Sequence, residues 1–315
     1  MRMSFLFDEN ILENIEREAV HMAWGAGAIL ARYFGKTMDV EYKQKGDRDP
    51  VTMADKESEA YLKESIKSRF PDHGILSEED TDGQEYALPD TVWVLDPLDG
   101  TTNFLNGLPL YAVSIAVLHL GIPVVGALFI PWPVSSNGFV MHARRGGGAF
   151  INEDSLSVNL KQPGPLGNRL TALPGSFGSM YRFGKGMQGK VGEVRVTGSI
   201  AYELALVVKG VVQYAFISAP HLWDVAAGTL VTTEAGGAVF RRGKQSKDWN
   251  ESKVLVEGWG RSCSSYEALR KWTASMIFGN CESVQFVADH LETRAPSLDS
   301  VVKGMVRRVM RRKDA

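Results

Sequence analysis

The chain has 315 residues, 44% of them hydrophobic and 23% charged, with 35 basic residues against 37 acidic ones and a formal net charge of −2. That composition is ordinary for a globular protein and excludes a disordered or fibrous class. Near-balanced charge leaves no overall field for a nucleic acid polymer. The length admits one large α/β unit or two closely packed halves. Two cysteines, Cys263 and Cys281, give no disulfide framework and fit a reducing cytoplasm. Arg2 is followed within ten residues by acidic ones, without the pattern of a cleavable leader.

Asp8 is placed to cap a first helix, in which Ile11, Leu12, Ile15, Ala19, Met22 and Ala26 recur at helical spacing as far as Phe34-Gly35. That face reads as core or as a dimer contact. A second helix is expected from Ala54 to Phe70, with Asp55 in its first turn and Pro71-Asp72-His73-Gly74 ending it. Glu78 and Glu79 follow in an acidic loop with Asp80 and Asp82, a composition usual for solvated surface. Val92 to Leu95 fit a buried strand, and Pro97 and Gly100 are expected to force the chain out of it, leaving Asp96 and Asp99 on an abrupt turn. Two carboxylates that close repel unless a cation lies between them or one is protonated. Oxygen ligands of this kind suit magnesium, manganese or calcium. Gly100-Thr101 can then offer N–H groups at a helix start, where an anion is favoured.

From Tyr111 to about Asn159 the pattern is of strands: Tyr111 to His119, Val124 to Ile130, Gly138 to His142 and Ala149 to Asn152. The glycines and prolines within Tyr111 to Trp132 speak against a membrane span. Arg144-Arg145-Gly146-Gly147-Gly148 lacks the Gly-Lys-Ser/Thr ending of a nucleotide loop and reads as a turn. Lys161 to Gly167 is the best internal boundary. Beyond it are expected a strand near Arg169 to Leu173, a helix from Ser199 to Lys209, a strand Val212 to Ile217, a helix from Asp224 to Glu234, and strands Ala238 to Phe240 and Lys253 to Val256. Asp224 is a natural cap for the helix it opens. This alternation argues for an α/β fold. The chain divides as 1–160, 161–260 and a helical extension 261–315, with helices at Tyr266 to Phe278 and from Ser300 onward. The last of these is basic and amphipathic, a form able to touch acidic lipid or a protein partner weakly.

Three separated segments, Asp96-Pro97-Leu98-Asp99-Gly100-Thr101, Trp223-Asp224-Val225-Ala226-Ala227-Gly228 with Thr233-Glu234-Ala235-Gly236-Gly237, and Ile75-Leu76-Ser77-Glu78-Glu79, resemble signatures of the lithium-sensitive, magnesium-dependent inositol monophosphatase family. Asp49-Pro50-Val51-Thr52-Met53-Ala54-Asp55 is similar to the family segment that carries a water-activating aspartate. The resemblance runs from Ile11 to Glu257 and implies a layered α/β/α/β/α sandwich, a cytoplasmic homodimer, and hydrolysis of a phosphorylated polyol, sugar or nucleotide. It implies two or three Mg²⁺ ions, with Mn²⁺ as a substitute, on Glu78, Asp96, the Leu98 carbonyl, Asp99 and Asp224. It implies Thr101 and Asp55 as the catalytic pair, and Gly100, Thr101, Gly198, Ser199 and Ile200 as the phosphate and substrate contacts. Seven residues before Asp224, where inositol phosphatases place a hydroxyl-binding glutamate, stands Ile217, which cannot accept such a bond. Fructose 1,6-bisphosphate, histidinol phosphate and 3′-phosphoadenosine 5′-phosphate are the other substrates of the resembled group. A non-catalytic binding protein that uses its basic tail is the reading from a different class.

Overall fold

The computed structural model describes residues 8–36, 40–44, 48–80, 87–133, 135–158, 164–243 and 248–294. Helix α1, Glu9–Tyr33, starts where Asp8 accepts a hydrogen bond from the Asn10 N–H at 3.0 Å. Leu12, Ile15, Ala19, Met22 and Ala26 are buried along it, whereas Ile11, read as part of the same face, is exposed. Helix α2, Met53–Arg69, is capped by Thr52, so Asp55 falls in its first turn as expected.

Both helices pack on one face of a seven-stranded sheet formed by β1 (Gly74–Ser77), β2 (Thr91–Asp99), β3 (Ala112–His119), β4 (Ile122–Trp132), β5 (Ser135–Arg144), β6 (Gly148–Ile151) and β7 (Asp154–Leu156) in sequential order. Only β1 and β2 pair parallel; the rest is a meander of antiparallel neighbours. The buried faces of β2 to β5 are nearly continuous apolar runs, because helices cover this sheet on both sides.

The other face receives α4 (Ile200–Val208) and α5 (Leu222–Glu234), which lie between it and a second sheet. That sheet holds β8 (Leu170–Ala172), β9 (Glu193–Arg195), β10 (Val212–Ile217), β11 (Ala238–Arg242), β12 (Asn250–Glu251) and β13 (Ser275–Gly279) in the order β9-β8-β10-β13-β11-β12. Helix α7, Cys281–His290, covers its outer side. The result is the expected five-layer α/β/α/β/α arrangement, with one apolar cluster beneath α1 and α2, one on both sides of the central helices and one beneath α7.

Two expectations fail in the second half, and one helix there is new. Lys253 to Val256 is not a strand: the N–H groups of Leu255 and Val256 both donate to the Gly121 carbonyl at 3.1 Å, so the chain leaves the sheet to meet the β3–β4 turn. The helix expected over Tyr266 to Phe278 stops at Arg270 as α6, Tyr266–Arg270. Met276, Ile277 and Phe278 instead form β13, fully buried and paired on both sides, so the segment beyond residue 260 supplies an interior strand. Finally, α7 was not foreseen; Asn280 caps it by accepting from Ser283 N at 2.7 Å. The basic helix expected from Ser300 lies outside the described residues. Among the described residues no helix is long and apolar enough to cross a membrane.

Candidate active site

Asp96 and Asp99 do not stand on a turn beyond a strand; both belong to β2, which runs through Pro97 and Leu98. Side chains three apart on a regular strand point to opposite faces. Against β3, however, Asp96 pairs with Ser114 and Asp99 with Ala112, so three steps on β2 match two on β3. This bulge turns both carboxylates toward one cleft. Gly100, at φ +93°, then swings the chain into the short helix α3, Thr101–Leu105. A Cβ at Gly100 would come within 2.9 Å of the Leu110 carbonyl oxygen.

The cleft, about 270 Å³, is lined by Glu78, Asp96, Leu98, Asp99, Gly100, Thr101, Thr102, Gly198 and Asp224. Glu78 enters from the turn after β1, held by its own N–H donating to the Leu95 carbonyl at 3.1 Å. Asp224 enters from α5. That helix begins at Leu222, two residues earlier than expected, so Asp224 is not its cap but sits in the first turn and accepts from His221 N at 2.7 Å. Trp223 is buried, and the exposed His221 ring stacks on it at 4.6 Å.

These carboxylates crowd one another. Burial, then the charges of Glu78, Asp99 and Asp224, push Asp96 well above the ordinary carboxylate range. Asp224 is driven up by burial, then by Asp99 and Glu78. Burial pushes Asp99 up to about 6 despite hydrogen bonds from Ser199 Oγ at 2.8 Å and Ala201 N at 2.5 Å. Among the described residues no three His, Cys, Asp or Glu side chains are drawn closely enough to hold a metal ion as they stand. Asp99 and Asp224 each spend an oxygen on protein donors. The donor set is all hard oxygen, and its carboxylates raise one another's pKa, which is the chemistry a divalent cation fits.

Beside the cleft, the Thr101 hydroxyl lies 3.3 Å from Asp55 Oδ1 and 3.1 Å from the Leu98 carbonyl. Asp55 is almost fully buried, which raises its pKa against the opposing effect of its Thr52 and Thr101 bonds. Gly198, at φ +81°, and Ile200 lie at the start of α4. Ser199 is fully buried; its hydroxyl caps α4 at Tyr202 N and donates to Asp99. Ile217 ends β10 inside the apolar core and is absent from the cleft lining.

Three residues not singled out from the sequence support this geometry. Asn103 donates to the Leu110 and Thr197 carbonyls, both at 2.7 Å, and so joins the two halves beside the cleft. Glu203 accepts from Thr197 N and Oγ1 at 2.9 Å, and burial lifts its pKa to about 7. A lone acid within the apolar run of α4 was the available signal. The third is Arg270, discussed below. The Arg144 to Gly148 segment forms the expected turn and gives its Gly146 and Gly148 N–H groups to Glu234 at 2.9 and 3.1 Å.

An α/β/α/β/α sandwich whose carboxylate cleft lies between the two sheets defines a class of hydrolase, and comparison with known proteins agrees. The model of the inositol monophosphatase family matches residues 11–274, and the chain belongs to that family of phosphatases. A fructose-1,6-bisphosphatase/inositol-1-monophosphatase of Aquifex aeolicus is 31% identical over 236 residues, 73% of this chain and 86% of that protein. An inositol-1-monophosphatase of Rhizobium meliloti is 34% identical over 224 residues, 69% of this chain and 82% of its own. Among solved structures, the extragenic suppressor protein suhB of Bartonella henselae superposes with a TM-score of 0.64 at 28% identity, over 85% of this chain and 95% of that one.

Proposed function

We propose that this chain hydrolyses a small phosphate monoester with Mg²⁺ held in the carboxylate cleft. The observation that carries the reading is the meeting of Glu78, Asp96, Asp99 and Asp224 in one cleft that also presents Thr101, bonded to the buried Asp55. Glu78, Asp96 and the Leu98 carbonyl would hold one ion, and Asp96, Asp99 and Asp224 a second. A third, weaker ion would face Glu78 through water, and Mn²⁺ would serve in place of Mg²⁺. Bound there, the cations lower the pKa of an attacking water and offset charge on the leaving oxygen.

The protein's own groups do the rest. The Thr101 hydroxyl takes a proton from the attacking water as it passes its own to Asp55, whose burial raises its proton affinity. The new bond forms between water oxygen and phosphorus, the ester P–O bond breaks in line, and the leaving alcohol takes its proton from solvent. The Gly100 and Thr101 amides, at the start of α3, meet the phosphate oxygens. Gly198 and Ile200 approach the alcohol portion, while Ser199 acts by fixing Asp99.

The substrate is a phosphorylated polyol, sugar or nucleotide, with inositol phosphate first as a class. A second reading, fructose 1,6-bisphosphate, is favoured by the double name of the Aquifex aeolicus relative. A homodimer and a cytoplasmic location complete the reading; the free thiols of Cys263 and Cys281 are consistent with the latter. The test is phosphate release from inositol 1-phosphate, fructose 1,6-bisphosphate, histidinol phosphate and 3′-phosphoadenosine 5′-phosphate, with magnesium, with chelator and with lithium. Magnesium-dependent, lithium-inhibited release is expected; silence on every ester defeats the reading.

A further inference from the structure

The turn that presents Glu78 is gripped from three sides. Within it, Ser77 N donates to Asp80 Oδ2 at 2.9 Å and Asp80 N to the Ser77 carbonyl at 3.3 Å. From α2, the Lys63 ammonium pairs with Asp80. From α6, the Arg270 guanidinium donates to the Ser77 carbonyl at 3.0 Å and pairs with Asp80 Oδ2 at 3.2 Å. Arg270 therefore meets both ends of the turn.

Its reach follows from matched periods. Tyr266 and Arg270 lie one helical turn apart on α6, on one face and about 6 Å from each other. Ile75 and Ser77 lie two residues apart on β1, on one side of the strand and about 6.6 Å from each other. Tyr266 hydrogen-bonds the Ile75 backbone while Arg270 bonds Ser77. Gly74 makes room, since a Cβ there would fall 2.2 Å from the Tyr266 hydroxyl oxygen. The same guanidinium sits 6.0 Å from the centre of the Trp223 ring, and the residue after Trp223 is Asp224. One side chain thus bonds the Glu78 turn, which follows β1, and reaches toward the Trp223 ring in the first turn of α5, beside Asp224.

We propose that Arg270 is a positioning residue for the cation site, holding Glu78 and Asp224 in register across the cleft and so setting the affinity for the divalent ion; this rests on the reading of the cleft as a magnesium site. A guanidinium suits the task because its planar fork bonds a carbonyl and a carboxylate together while its charge stays within reach of an aromatic ring.

Isothermal titration of the chelator-stripped full chain with Mg²⁺ alone tests it, beside the thermal midpoint of each metal-free protein. Arg270→Ala is expected to weaken Mg²⁺ binding about tenfold, the scale for loss of a group that orients metal ligands. Asp80→Asn should shift binding in the same direction, and Arg270→Lys should fall between wild type and Arg270→Ala. Lys271→Ala, which removes only an exposed pair with Glu267, should bind like wild type. Unchanged affinity in both Arg270→Ala and Asp80→Asn overturns the inference, as does an equal loss in Lys271→Ala, which would mean general loosening. If Arg270→Ala does not fold, Arg270→Lys and Asp80→Asn carry the test. Failure of the unaltered protein to bind Mg²⁺ is a different result: it overturns the reading of the cleft itself, and the inference with it.

Discussion

Glu16 in α1 and Asp96 in β2 are both buried carboxylates, yet their surroundings are opposite in sign. Glu16 meets Arg144 Nη1 at 2.8 Å and His142 Nδ1 at 2.7 Å. Burial pushes its pKa up, but the bonds from His142 and Arg144 and their charges outweigh that and hold it below the ordinary value. Asp96 has Glu78, Asp99 and Asp224 for neighbours, and both burial and charge drive it up. A buried charge kept for structure carries its counter-charge within the chain. One whose near neighbours are carboxylates has no such counter-charge among them and, on the reading proposed above, takes it from a bound cation, at a cost to stability.

The sharpest way to break this contrast is to neutralise one member of each set. Asp96→Asn should lower kcat by at least about a thousandfold in a phosphate-release assay, since Asp96 is assigned to both ions and electrostatic contacts at a reacting centre are worth that much. The same change should raise the thermal midpoint in chelator by about 1–2 °C, the shift that relief of about 1 kcal/mol of repulsion gives in a chain of this length. A lower midpoint would mean that Asp96 is structural. Glu16→Ala should do the reverse. It removes the carboxylate that Arg144 and His142 share and should cost about 3 kcal/mol in urea unfolding, with kcat unchanged.

The pH dependence sharpens the second half of that pair. The folded-state pKa of Glu16 is depressed below 4.5, so its contribution is fully present above the unfolded value and lost as pH falls through the folded one. The stability gap between wild type and Glu16→Ala should therefore be constant from pH 7 to about 5 and narrow in acid below 4.5. A gap that stayed level down to pH 3 would show that the carboxylate charge contributes nothing.

The local signals for the site were strong, and those for its assembly were weak. Asp8, Asp55 and the span Val212 to Ile217 follow from caps and periodicity, and the structure places them as read. Asp96 and Asp99 were recognisable as a pair, but the bulge that aims them together is a property of the β2–β3 register, which depends on residues 13 or more positions away. Ser199 stood beside a glycine at a helix start and read as a substrate contact, whereas its hydroxyl serves an aspartate 100 positions earlier. Ser275 to Phe278 reads as the end of a helix because a short apolar run fits either period; the two strand neighbours, β10 and β11, decide for β13. Arg270 carried no signal at all, since a basic residue near a helix end is commonplace and its partners lie over 180 residues away.

A smaller test asks whether the cap of α2 also tunes the proposed proton acceptor. Thr52 Oγ1 accepts from Ala54 N at 3.1 Å and Asp55 N at 3.3 Å, while Asp55 Oδ2 accepts from Thr52 N at 2.7 Å. The Thr52 hydroxyl also donates to Oδ2 at 2.5 Å. Thr52→Ala should cost about 1 kcal/mol of stability, the usual worth of such a cap. It also removes a donor that favours the ionised form of Asp55, leaving burial less opposed, so the Asp55 pKa should rise further. A base with a higher pKa is protonated sooner as pH falls. The acid limb of the kcat profile should then move to higher pH, while Thr52→Ser, which keeps the hydroxyl, should leave it in place. A limb that stays put in Thr52→Ala would confine Thr52 to holding the helix and would remove Asp55 from the proton path.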